Sequence, residues 1–176
     1  VSVGASLLSD SGASVAVTTV DVTARKQAEA ALKVALAKYS VLFESFPLGV
    51  TVSDRAGQIV EVNRESERLL GTSQAEQAQR GLASPSWQII RLDGSPMPSE
   101  EFASVRALRE NRLIENVEMG IVKEGGSATW INVTAAPIPL AGYGVAVAYG
   151  DITAQKRAEQ SLRESEERFH SLYASM

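Results

Sequence analysis

The chain has 176 residues, 17 Lys and Arg against 21 Asp and Glu, a formal net charge of -4 and no cysteine. That length supports one modest core with appendages, and the interspersed charges leave no broad basic surface for nucleic acid. Without cysteine there is no disulfide frame, no thiolate metal ligand and no cysteine nucleophile, a composition at home in a reducing cytoplasm. No apolar run approaches the roughly 20 residues of a membrane span, so no direct membrane contact is expected. The opening Val1-Ser2-Val3-Gly4 has no initiator Met, and the chain is read as an excerpt of a longer protein.

Residues 1–46 align without a gap on residues 131–176, with about a third of the positions identical. Val15-Ala16-Val17 falls on Val145-Ala146-Val147, Asp21-Val22-Thr23-Ala24 on Asp151-Ile152-Thr153-Ala154, and Lys26, Ala28, Glu29 and Leu32 on Lys156, Ala158, Glu159 and Leu162. Each copy reads as a strand, a short polar junction and a helix. Residues 1–20 thus match the last strands of a preceding unit and are expected to form a hairpin beside the linker helix of 21–46. In that helix Ala28, Leu32, Ala35, Tyr39, Leu42 and Phe46 are spaced 4-3-4-3-4. Ala158, Leu162, Ser165, Phe169, Leu172 and Met176 repeat the spacing in an exit helix of 152–176. Both read as a thin heptad seam, with Leu32, Tyr39, Leu42, Leu162, Phe169 and Leu172 its larger members and a homodimer its expected product. Thr23 and Thr153 are predicted to cap the two helices through their hydroxyls.

Between the repeats the pattern turns to short strands. Val50 and Val52, then Ile59, Val60 and Val62, flank Asp54-Arg55-Ala56-Gly57, a hairpin turn by composition. Asn63 is predicted to cap a helix running to Leu70 and closed by Gly71. Residues 72–87 read as short helices and loop, with Pro85 a breaker. Pro98 and Ser99 open a predicted helix from about Glu100 to Asn111, with Glu100 and Glu101 at its positive end. Three longer strands follow at 113–123, 127–137 and 144–150, the first two joined across Lys123-Glu124-Gly125-Gly126. The order predicts an α+β domain over 47–151: a five-stranded antiparallel sheet with helices on one face, flanked by coiled-coil-type helices.

That order resembles the PAS fold, and four local sequences carry the resemblance. They are Tyr39 to Val50, an aromatic helix entering the first strand; Asp54 to Asn63, the first hairpin with its capping Asn; Lys123 to Val133, the later hairpin; and Asp151-Ile152-Thr153, the exit into a signalling helix, with Asp21-Val22-Thr23 its second copy. The resemblance implies a regulatory sensor module of a tandem signalling protein that encloses a small-molecule or cofactor pocket. It further implies an output unit beyond the chain, such as a histidine kinase or a cyclic-dinucleotide enzyme. Asp151 and Thr153, with Asp21 and Thr23, are the implied coupling residues. A ligand-free dimerising spacer is the alternative, and no nucleophile-base pair, metal set or phosphate loop argues for an enzyme.

The single histidine, His170, lies on the exit helix, which argues against a haem held by a core histidine, and the lack of cysteine argues against a cysteinyl-flavin. A non-covalent flavin stays open, with Trp87 and Trp130 as stacking candidates or plain packing residues. A pocket is expected between the helix around Val105 and Leu108 and the inner strand faces. Its candidate lining is Val105, Leu108, Val117, Met119, Ile121, Trp130, Val133, Val147 and Tyr149, with Arg106 or Asn116 as polar anchors.

Overall fold

The computed structural model describes residues 23–123 and 125–174, with side chains described to residue 170. The expected hairpin of 1–20, Asp21 and the side chain of Leu172 fall outside the described residues. The chain divides into two compact units, Val1–Leu42 and Phe43–Met176. The described part of the first belongs to helix α1 (Thr23–Ser45), which has no buried residue. Leu32, Val34, Leu36, Tyr39, Val41 and Leu42 are all exposed.

The second unit is a six-stranded antiparallel sheet in the order β2-β1-β6-β5-β4-β3. Its strands are β1 (Gly49–Ser53), β2 (Ile59–Val62), β3 (Ile89–Ile90), β4 (Ile114–Val122), β5 (Ala128–Pro137) and β6 (Val145–Asp151). The five-strand expectation is corrected by β3. Two residues are too few to show alternation, and they are held in place by pairing with Gly120 and Ile121 of β4. Helices α2 (Arg64–Leu70), α3 (Gln74–Arg80) and α4 (Ala103–Glu110) lie over one face, and α5 (Thr153–Ala174) leaves the end of β6.

Local chemistry explains most boundaries. Asp54 accepts from the amides of Ala56 and Gln58, and Gly57 supplies the positive φ of 82° that turns β1 into β2. Asn63 caps α2 through the Ser66 amide, and Gly71 ends it at φ 68°. Ser73 and Glu76 form a reciprocal capping box on α3. The predicted helix from Glu100 is instead a 3-10 turn over Ser99–Glu101 and then α4, because Phe102 takes an extended ψ of 134° and is buried in the core.

Period-two alternation places Met119 and Ile121, Ile131 and Val133, and Val147 and Tyr149 on the helix-covered face. The core joins these strands to Leu69, Leu82, Phe102, Ala103 and Ala107.

Candidate functional site

Two connected features stand out: a polar chain inside the core, and the junction where β6 becomes α5. The core feature starts at Asn63, which is fully buried and uses both ends of its amide. Its Oδ1 accepts from the amides of Val50 and Ser66, and its Nδ2 donates to the carbonyls of Phe43 and Leu48. One side chain thereby joins the last turn of α1, the entry to β1 and the start of α2. Sequence reading found Asn63 only as a cap, since its long-range partners carry no local signal.

Next to it, Ser66 Oγ lies 2.5 Å from Tyr149 Oη and donates to Gln77 Oε1 at 3.2 Å. Tyr149 also meets Thr51 Oγ1 at 3.0 Å, and Gln77 Nε2 donates to the Thr72 carbonyl at 3.1 Å. All four side chains are buried. Burial pushes the Tyr149 hydroxyl above its usual pKa, and its hydrogen bonds with Ser66 and Thr51 offset this only in part, so the group stays neutral. Close approach requires Gly49, because a Cβ there would stand 2.3 Å from the Tyr149 ring.

A cavity of about 70 Å³ adjoins this chain, lined by Thr51, Gln77 and Tyr149 on its polar side and by Trp87, Ile131 and Val147 among its apolar residues. Of the sequence candidates, Met119, Ile121, Val133, Val147 and Tyr149 line it. Val105, Leu108 and Val117 pack on the core without reaching it. Trp130 faces away: it is paired with Gly120 and lines a groove against α5, since a residue three places from Val133 cannot share its face. Arg106 pairs with Glu110 at the surface, and Asn116 is exposed with φ 56° in the irregular stretch of β4 between Ile114 and Val117, so neither anchors the cavity. The residues around this space do not fit a flavin. An engineered cavity of roughly 150 Å³ is what benzene occupies, and the tricyclic isoalloxazine ring needs more.

At the junction, Ile152 extends the β5–β6 ladder by donating to the Trp130 carbonyl at 2.8 Å. Thr153 does not cap α5 with its hydroxyl as predicted. That oxygen accepts from the Trp130 amide at 2.9 Å, while Asp151 Oδ1 accepts from the Thr153 amide at 2.8 Å. The side chains exchanged roles because the Thr153 hydroxyl lies against β5, leaving the carboxylate to meet the free amide. Burial pushes the Asp151 carboxyl up, but hydrogen bonding from Thr153 and the charges of Arg68 and Lys123 outweigh it and hold the group below its usual range. Lys156, one turn on, pairs with Glu118 of β4 at 2.7 Å. Thr23, at the start of α1, holds the equivalent place in the other copy.

Among the described residues no group of His, Asp and Glu could hold a metal ion, and no helix is long and apolar enough to cross a membrane. A family described as PAS domain matches residues 37–102. The sensor protein TdiS of Thauera aromatica is 28% identical over 133 residues, covering 72% of this chain and 23% of its own length. The chain therefore spans about a quarter of that relative. The PAS domain of an HTR-like protein from Haloarcula marismortui superposes with TM-score 0.52 at 22% identity, covering 73% of this chain and all of that one. A domain of a sensory box sensor histidine kinase/response regulator from Geobacter sulfurreducens gives 0.52 at 19%, covering 68% and 96%. Sheet order, capping asparagine and exit junction agree with these likenesses: residues 37–102 match the PAS domain family, and the sheet with its helices has the PAS fold.

Proposed function

We propose that this chain is a regulatory relay segment of a cytoplasmic signalling protein built from repeated PAS units, in which the state of the core passes along β6 into α5. The observation that carries this reading is the stapled junction. Tyr149, inside the core, sits two residues before Asp151 on one strand, and Thr153 and Lys156 tie the start of α5 to β5 and β4. A shift of β6 against its neighbours cannot leave α5 in place without breaking those bonds. The duplicated Asp-Val/Ile-Thr sequence supports a series of such junctions, and the likeness to a sensor protein supports a signalling role; the output, in this reading, is a unit such as a histidine kinase or cyclic-dinucleotide enzyme elsewhere in the whole protein.

Paired copies complete the reading. Leu32, Tyr39 and Leu42 on α1 and Leu162 and Phe169 on α5 are each at least half exposed at the predicted seam positions, and a parallel pairing would cover them. Analytical ultracentrifugation should show a dimer that Leu162→Glu weakens. Spin labels on α5 of that dimer test the relay: Thr153→Val should broaden or shift the inter-helix distance, and an unchanged distribution with the fold intact overturns it. The small cavity favours a second reading, a spacer with a filled core. Native mass spectrometry tests for a tightly held ligand, whose release on denaturation supports sensing, while a clean apo mass together with no saturable small-molecule binding supports the spacer.

A further inference from the structure

The buried polar chain has a direction. Gln77 Nε2 must be the atom facing the Thr72 carbonyl, which can only accept, so Oε1 is the atom facing Ser66. Ser66 has one proton and gives it to Oε1. Tyr149, 2.5 Å from Ser66, then gives its proton to Ser66, and Thr51, 3.0 Å from Tyr149, gives its own to Tyr149. Every hydroxyl proton is thus used, in the order Thr51 to Tyr149 to Ser66 to Gln77. Thr51 Oγ1 is the open end: with the Ser66 proton on Gln77, its 3.3 Å contact to Ser66 brings it no donor, it receives no hydrogen bond among the described residues, and it lines the cavity. What Thr51 Oγ1 lacks is a donor.

The rest of the lining sets the other limits. Among the described residues no Asp, Glu, Lys, Arg or His borders the cavity. A charged guest would lose its hydration there with no counter-charge, at a cost of several kcal/mol. At about 70 Å³ the space is under half of the roughly 150 Å³ that accommodates benzene. Trp87 forms its outer wall. It borders the cavity and also the two grooves on the surface beside it, held by an Nε1 bond of 2.7 Å to the Gly81 carbonyl and by Arg80 5.1 Å from its ring centre.

Building on the relay reading, we propose that the cavity is a site for a small uncharged molecule with one hydrogen-bond donor, of the short-chain aliphatic alcohol class, whose O–H donates to Thr51 Oγ1 and whose alkyl part rests on Ile131 and Val147. Binding completes the proton chain at its open end and loads Tyr149, on the strand that leads to the junction.

The test uses the whole chain carrying Trp130→Phe, which leaves Trp87 as the one tryptophan. Its emission is followed during titration with propan-1-ol, propionate and 1-chloropropane. A saturable response to the alcohol in the millimolar range, at least tenfold weaker for the other two, is expected. Thr51→Val should weaken the alcohol response at least tenfold, and Thr51→Ser, which keeps the acceptor, should restore it, with circular dichroism confirming both folds. A response that does not saturate, that is equal for propionate or 1-chloropropane, or that survives Thr51→Val overturns the site. The relay is read separately, from the α5 spin-label distance. Saturable alcohol binding with an unmoved helix would keep the site and sink the relay, and a helix moved by Thr153→Val without alcohol binding would do the reverse.

Discussion

The two faces of the sheet are built on different energy scales. Its helix-covered face holds Asn63, Ser66, Gln77 and Tyr149 out of water and bonded to one another. Losing one partner there strands another buried group, which costs about 1–3 kcal/mol each time. Its other face and its end hold Lys156, Glu118 and Asp151, half-buried or exposed, where a bond given up is replaced by water and the net loss is about 1 kcal/mol or less. A relay needs this difference. Its rigid side registers a change as a movement of strands, and its weak side yields to that movement without unfolding the domain.

The buried face is most vulnerable at Asn63. Asn63→Ala removes four hydrogen bonds where the last turn of α1, β1 and α2 meet, and should lower stability by about 3–4 kcal/mol in urea unfolding. A loss below about 1 kcal/mol would mean that water replaces those bonds and that this face is no stiffer than the other. Gly49→Ala comes next. The new methyl would meet the Tyr149 ring at 2.3 Å, on backbone held by its pairing with β6. Overpacking of this kind costs about 2–3 kcal/mol, and the displaced ring should also raise hydrogen exchange at Tyr149 and Ala148. If exchange rises only near Gly49, the ring is not the piece that gives way.

How these positions looked in the sequence follows the same division. Contacts between near neighbours were legible: the turn at Asp54-Arg55-Ala56-Gly57, the cap at Asn63 and the Gly71 stop each depend on residues within about four places. The repeat made the exit visible, because two copies of one junction stand out against unrelated surroundings. Contacts across the chain were not legible. Ser66, Gln77 and Thr51 passed as ordinary helix and strand residues, since nothing local shows that α2, α3 and β1 converge on Tyr149. Trp130 misled for a different reason: its size suggested a pocket, although its odd spacing from Val133 already put it on the opposite face.

On the weaker side, Thr153→Val keeps the shape of the side chain and removes the acceptor for the Trp130 amide. The expected loss is about 1 kcal/mol, too little to unfold the domain. Amide exchange of Trp130 and of the first turn of α5 should nevertheless accelerate while that of Ile131 and Val133 stays unchanged. Equal acceleration throughout β5 would show that junction and core form one unit and that the two scales do not exist.

The smallest effect is the charge on Asp151, and its pH dependence has a definite sign. The folded carboxyl titrates below its ordinary value of 3.8, so its contribution is complete above that value and fades as pH falls through the depressed one. Asp151→Asn keeps an oxygen for the Thr153 amide and removes only the charge facing Arg68 and Lys123. The stability gap between the two proteins should therefore be flat from pH 7 to about 5, below about 1 kcal/mol because the group is largely in solvent, and should close below pH 4. Added salt should narrow it at neutral pH, since exposed charges are screened within about 10 Å at 0.1 M. A gap that persists at low pH would assign the role of Asp151 to hydrogen-bond geometry instead of charge, and the junction would then hold by shape on both sides of the strand end.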